Sequence, residues 1–137
     1  MAAIVIADAS PLIALARVNG LGWLQQLFTE VVVTDVVLSE VLTGRYPDTE
    51  TPIQQALAAG WLQATVAGSS EPALLLIDGR AGRAVAQELG ITVAGTAAVI
   101  GLARQRGLIA SARDVFAALH ASDFRIAPAV IQAVLVR

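Results

Sequence analysis

The chain has no cysteine and no lysine, and these two absences narrow its chemistry. Without cysteine, neither a disulfide framework nor a thiolate metal site can form. Without lysine, the chain lacks the residue that a P-loop and a phosphorelay receiver both use. All nine basic residues are therefore arginine, whose planar guanidinium suits phosphate, although genomic base composition produces the same bias.

Long uninterrupted apolar runs are also missing, although 56% of the 137 residues are hydrophobic. Charged residues or glycine interrupt every run well short of the length that spans a membrane. The start of the chain has no basic segment, and Asp8 lies inside its apolar stretch, so we expect no signal peptide. We expect a single cytoplasmic domain over residues 1–137, large enough for a core of its own. A formal net charge of -2 gives no global attraction for nucleic acid.

Apolar segments with strand-like patterns alternate with helical segments along the chain. Strands are predicted at 3–7, 31–33, 61–66, 73–77 and 91–93. Helices are predicted from Ser10 to about Val18, over 21–28, over 34–44, from Thr51 to Gly60, over 79–89, from Thr96 to Gly107, from Ser111 and from Ala127. This alternation predicts an α/β fold, a three-layer sandwich with a central, mostly parallel sheet flanked by helices.

Local cap signals set the expected starts of several helices. Ser10 is predicted as the N-cap of the first helix, with Pro11 at the first helical position. Thr51 and Gln54 are predicted to form a capping box around Pro52, which leaves residues 45–52 as a loop. Thr96 and Ser111 are the predicted caps of two later helices.

Three carboxylates are predicted to approach one edge of the sheet. Asp8 is the first residue after the first strand, and Asp78 is the first after "ALLLI". Ligands of open parallel sheets bind outside the carboxyl ends of the strands, where both residues project. Glu40 follows Thr34 by less than two helical turns and can reach the same edge. All-oxygen ligands of this kind suit Mg²⁺ or Mn²⁺.

Each of these side chains also has a purely structural interpretation. Asp8 can assist in capping the first helix, and Asp78 can cap the helix that follows it. Glu40 can be a solvated residue on an exposed helix face. Arg80 and Arg83 follow Asp78 and are candidate phosphate ligands, or else solvated side chains. The sequence leaves these alternatives open.

Five stretches of the chain have a recognisable order. They are "IVIADASPLIALARV", "VVVTDVVLSEVL", "GWLQATV", "LLLIDGRAGRAVAQELGITVAGTAAVIGLARQRGLI" and "FRIAPAVIQAVL". Together they resemble a PIN domain of the bacterial branch close to VapC-type toxin ribonucleases. The resemblance implies a metal-dependent endoribonuclease that hydrolyses RNA and uses Mg²⁺ or Mn²⁺. It assigns the metal-binding, catalytic acids to Asp8, Glu40 and Asp78, with Ser10 as the usual hydroxyl neighbour of the first acid.

The same resemblance carries expectations about roles and partners. Asp8 is expected to be the principal metal ligand, and Ser10, Arg80 and Arg83 to contact the substrate. The expected partners are RNA, a small antitoxin protein if the chain is the toxin of a toxin–antitoxin pair, and a second copy in a homodimer. No membrane association is expected.

Two departures from the pattern of that branch bear on activity. Gly79 stands where the branch usually has a second aspartate after the central strand. The stretch "AGSSEP" replaces a helix that carries a further acid in relatives, so the domain is predicted to be shortened between residues 66 and 73. Glu71 is a possible remnant of that helix. The alternative function is therefore a catalytically degenerate PIN-like module that binds nucleic acid or protein.

Overall fold

The computed structural model of the chain describes residues 4–28, 30–66, 68 and 72–136. These residues form five strands and eight helices. The strands are β1 (Ile4–Ala7), β2 (Glu30–Thr34), β3 (Leu62–Thr65), β4 (Leu74–Leu76) and β5 (Val93–Ala94). The helices are α1 (Ala9–Arg17), α2 (Gly22–Leu27), α3 (Asp35–Val41), α4 (Pro47–Ala59), α5 (Arg80–Glu88), α6 (Thr96–Gln105), α7 (Ala112–Ala121) and α8 (Pro128–Leu135).

The strands form one sheet in the order β3-β2-β1-β4-β5, and every pair is parallel. With the helices flanking the sheet, this is the predicted α/β sandwich with a parallel centre. The strand predicted as central, over 73–77, is β4, but the middle position belongs to β1. In β1, Ala7 lies opposite Leu76 of β4 and Ile6 lies opposite Val32 of β2.

Two apolar clusters hold the layers together. The larger cluster joins one face of the sheet to the surrounding helices, because alternate residues of a strand face the same side. Its members from the strands include Val5, Val31, Val33, Leu62 and Leu76, and its members from helices include Leu12, Leu15, Leu24 and Ile53. The smaller cluster joins α1 to α6 and α7 through Ala14, Ile100, Phe116 and Leu119.

Helix α1 begins earlier than predicted. Asp8 has the extended backbone of an N-cap residue, at φ -79° and ψ 173°, while Ser10 is already helical. Pro11 therefore lies within the first turn, where an N–H group has no partner inside the helix in any case. The prediction that Ser10 is the N-cap is wrong by two residues.

Helix α4 also begins earlier than predicted, since it starts at Pro47 and includes Pro52. The buried Glu50 explains the early start. Its carboxylate accepts hydrogen bonds from the backbone N–H groups of Gly44 and Tyr46, at 2.8 Å each. These bonds tie the first turn of α4 to the preceding loop. The capping box at Thr51 is therefore not the start of the helix.

Residues 66–73 connect β3 to β4, and half of them, 67 and 69–71, lie outside the described part of the chain. The expectation about Glu71 therefore lies outside the described residues, as does Ala3 as the first residue of β1. Because β3 and β4 are both parallel to β1, the connection has to return to the opposite end of the sheet. Eight residues span at most roughly 26–29 Å when fully extended.

Among the described residues, the helices are too short or too polar to cross a membrane.

Candidate functional site

Asp8 and Asp78 follow neighbouring strands at the same edge of the sheet. The backbone N–H of Asp8 donates to the carbonyl of Leu76 at 2.9 Å, which extends the β1–β4 ladder by one residue. Asp78 lies two residues beyond Leu76, and both aspartates are half-buried. The backbone therefore places both residues at the carboxyl ends of parallel strands, where the sequence predicted them.

The carboxylate of Asp78 caps helix α6. Its Oδ1 accepts from the Thr96 N–H at 2.7 Å, and its Oδ2 accepts from the Thr96 hydroxyl at 2.8 Å. Thr96 is fully buried and is the first residue of α6. The cap of α6 therefore comes from the end of a neighbouring strand.

This contact replaces two local caps that the sequence predicted. Thr96 is not the N-cap of its own helix, because Gly95 occupies that position. The N-cap of α5 is Gly79, which has no side chain to bond with, so Asp78 does not cap the helix that directly follows it. Asp78 thus has a capping role, but for a helix that begins 18 residues later.

Gly95 provides the space for this contact. A Cβ atom at Gly95 would stand 2.8 Å from Oδ1 of Asp78 and 3.8 Å from Nη1 of Arg83. The first distance is shorter than real Cβ atoms tolerate. The Asp78 carboxylate and the Arg83 guanidinium therefore both lie close to the backbone at the start of α6.

Asp8 differs from Asp78 in how its carboxylate is used. Asp8 occupies the N-cap position of α1, but its side chain makes no capping hydrogen bond. The structure thus places Asp8 at the start of the first helix, as the structural interpretation expects, but without a side-chain hydrogen bond to the helix. Its carboxylate is not committed to the start of α1.

Glu40 lies on α3 and is exposed. Thr34 is the N-cap of α3, and its hydroxyl accepts from the Val37 N–H. Within residues 4–28, 30–66, 68 and 72–136, no group of three or more histidine, aspartate or glutamate side chains is arranged to hold a metal ion. The structure thus does not assemble Asp8, Glu40 and Asp78 into one such group, and their roles remain predictions.

The donors that are present still fit a magnesium-like ion in type and number. Mg²⁺ keeps several waters and is usually bound by one or two carboxylates together with substrate phosphates. Asp8 and Asp78 are two carboxylates at one edge, and neither lies deep in the core. They are the candidate ligands, and the exposed Glu40 stays a predicted third ligand or a contact through water.

The predicted substrate residues stand close to this edge. Ser10 is half-buried in the first turn of α1. Arg80 and Arg83 lie in the first turn of α5 and line a cavity of about 590 Å³ beside Asp78. The same cavity is lined by Arg125, which the sequence analysis missed. In the sequence, this arginine stands between two apolar residues in "FRIAP". That pattern does not show which surface of the fold the arginine reaches.

Glu50 is a buried acid with a shifted pKa. The backbone N–H groups of Gly44 and then Tyr46 hold the pKa of its carboxyl below its usual value, and the Thr43 hydroxyl adds to this effect. Burial acts in the opposite direction but does not outweigh the hydrogen bonds. Glu50 organises the loop before α4, far in the sequence from Asp8 and Asp78.

Comparison with known proteins places these features in a family. The family model DUF3368, described as a PIN domain, matches the chain in two segments, residues 4–73 and 64–137. The two segments overlap at residues 64–73, which include the connection that the sequence predicts to be shortened. The comparison with curated proteins found no match. Since the two segments together span residues 4–137, the chain belongs to the PIN-domain family, whose members are in general nuclease-like, divalent-metal-dependent and directed at nucleic acid.

Proposed function

We propose that the protein is a metal-dependent endoribonuclease that hydrolyses RNA at the carboxyl edge of its sheet. The observation that carries this proposal is the position of Asp8 and Asp78 at the ends of adjacent parallel strands, beside a cavity lined by arginines. The two acids supply the donors that Mg²⁺ or Mn²⁺ prefers. The arginines supply charge that complements a phosphodiester.

Each residue has a separate role in this proposal. Asp8, whose carboxylate is not used as a cap, is the principal ligand, and Asp78 is the second, held in orientation by Thr96. Asp8 and Asp78 would hold the ion, which would supply a coordinated water of lowered pKa and positive charge to offset that of the scissile phosphate. Glu40 acts through water from α3. Ser10 lies beside the substrate in the first turn of α1.

The decisive test compares Asp8→Asn with the parent protein on single-stranded RNA in Mn²⁺. We expect the substitution to reduce cleavage at least 100-fold, on the order of the loss when a group that acts on the reacting phosphate is removed. Asp114→Asn is the matched control, because Asp114 is an exposed aspartate in the first turn of α7. Equal cleavage by all three proteins, or cleavage by none, contradicts the proposal.

A second candidate function is nucleic-acid binding without cleavage. It is favoured by the lack of a three-acid group among the described residues and by the commitment of both Asp78 oxygens to Thr96. Gly79, which replaces an expected second acid, favours it too. Fluorescence anisotropy with labelled RNA in EDTA separates the two functions. Retained binding together with no cleavage in Mn²⁺ supports the binding module.

The resemblance to VapC-type proteins supports three finer points of the proposal. The chain is the toxin of a toxin–antitoxin pair, it binds a small antitoxin, and it forms a homodimer in the cytoplasm. Arrested growth on expression of the parent chain, but not of Asp8→Asn, is the outcome expected for a toxin. A monomeric mass in light scattering contradicts the dimer.

A further inference from the structure

The cavity beside Asp78 combines a charged wall with an apolar wall. We call it the arginine cavity and define it by Asp78, Arg80, Arg83, Phe124, Arg125 and Ile126. Its volume of about 590 Å³ lies within the range of small-molecule sites in proteins. The start of α6 and one side of α8, from its first turn to Val134, complete its lining.

The charged wall favours an anion. Three of the nine arginines of the chain face this one space, although the net charge of the chain is -2. Asp78 is the acidic side chain among the described residues that line it, and Thr96 engages both of its oxygens. The start of α8 adds positive potential from backbone N–H groups, whereas the start of α6 is already capped by Asp78. A phosphate group matches this chemistry.

The apolar wall indicates that the ligand is more than a phosphate ion. Phe124 and Ile126 pack against the smaller core cluster and still line the cavity, so their positions are fixed from behind. An inorganic phosphate needs neither an aromatic ring nor this volume. A nucleobase has a flat apolar face that stacks on aromatic side chains, as in many proteins that bind single-stranded nucleic acid.

We propose that the arginine cavity binds one unstacked nucleotide of a single-stranded nucleic acid, with its phosphate on the arginines and its base against Phe124 and Ile126. A paired base is stacked within its duplex and cannot enter. The inference rests on the proposed function, because it names the part of the RNA that the site takes, one nucleotide next to Asp78. It adds Arg125 as a phosphate-binding residue and Phe124 as a base-binding residue.

The test is calorimetry in EDTA with adenosine monophosphate, inorganic phosphate and adenosine as separate probes. We expect the monophosphate to bind more tightly than either fragment. Arg125→Ala should weaken binding of both phosphate-bearing probes roughly tenfold, as for loss of a charge-assisted hydrogen bond. Arg106→Ala is the matched control, since Arg106 is an exposed arginine outside the cavity lining. It should leave binding unchanged.

A second variant tests the base-binding wall. Phe124→Leu keeps an apolar side chain against the core but removes the ring, so binding of the monophosphate should fall about tenfold while phosphate binding is unchanged. Circular dichroism verifies that both cavity variants are folded. The inference is overturned if the monophosphate does not bind, if Arg125→Ala and Arg106→Ala weaken it equally, or if Phe124→Leu has no effect.

The two proposals fail in different ways. Cleavage of RNA in Mn²⁺ without nucleotide binding in EDTA overturns the cavity inference alone. Nucleotide binding in EDTA without cleavage in Mn²⁺ supports the cavity inference and overturns only the nuclease.

Discussion

Glu50 and Asp78 are two carboxylates that the fold holds with hydrogen bonds, in different surroundings. Glu50 accepts from the backbone of the loop that precedes its own helix, over a separation of four to six residues. Asp78 accepts from Thr96, 18 residues away, at the start of another helix. Glu50 is 4% exposed, whereas Asp78 is half-buried and faces the arginine cavity.

The difference shows that a well-bonded carboxylate is not by itself a functional group. The bonds of Glu50 are complete within one loop and helix, and they explain the shape of that segment and nothing more. The bonds of Asp78 fix a charge at the edge where ligands of parallel sheets bind. A cavity and three arginines next to it give that position a chemical use. Variants of the two regions test this contrast, and those that should cost the most stability come first.

Glu50→Ala should cause the largest loss of stability. It removes the carboxylate that accepts from the N–H groups of Gly44 and Tyr46, and with it two hydrogen bonds to a charged acceptor, which are stronger than bonds between neutral groups. We expect a lower thermal midpoint than for any other variant below. Asp48→Ala, an exposed acid in the same first turn, is the control and should shift the midpoint far less.

If Glu50 is purely structural, the folded fraction of Glu50→Ala should bind adenosine monophosphate as the parent does. A folded but non-binding variant contradicts the separation of the two regions.

Gly95→Ala should disturb the Asp78 region at moderate cost. The added Cβ meets Oδ1 of Asp78 at 2.8 Å, so the carboxylate or the start of α6 has to move. Overpacking of this kind costs about 1–3 kcal/mol of unfolding free energy. Urea titration measures it, and Gly22→Ala is the control because nothing lies within 4 Å of a Cβ there.

RNA cleavage by Gly95→Ala gives a second measurement of the same disturbance. Gly95→Ala should lose activity beyond what its unfolded fraction explains, because it displaces a proposed metal ligand. Full activity of the folded variant would show that the position of Asp78 does not matter to the reaction.

The sequence predicted what depends on local pattern. The strands, most helices and the edge position of Asp8 and Asp78 follow from apolar runs and from residues that begin or end helices. It missed the partner of Asp78, because the Thr96 contact depends on how β4 lies beside the start of α6. It missed the start of α4 for a related reason: Glu50 has the appearance of a loop residue until its backbone partners are known. Arg125 reaches the cavity only through the packing of the last helices.

Thr96→Val should have a smaller effect than Gly95→Ala. The substitution keeps the buried volume and the backbone N–H bond to Oδ1, but it removes the hydroxyl bond to Oδ2. We expect a loss of about 1–2 kcal/mol in urea unfolding, from one hydrogen bond to a charged acceptor. Thr96→Ser keeps the hydroxyl and is the control. If folded Thr96→Val cleaves RNA as fast as Thr96→Ser, the hydroxyl does not orient Asp78.

The smallest expected effect is the contribution of Glu50 to the pH dependence of the unfolding free energy. Because hydrogen bonds lower its pKa in the folded protein, the unfolded state takes up this proton first as the pH falls. Its stabilisation is therefore complete well above pH 4.3, roughly the pKa of an unperturbed glutamate, and is lost as the pH falls toward the folded pKa. Glu50→Gln removes this titration and leaves the others. The difference in unfolding free energy between the parent and Glu50→Gln, measured in urea, should shrink from pH 6 to pH 3. A constant difference would show that the loop hydrogen bonds do not favour the ionised form of Glu50.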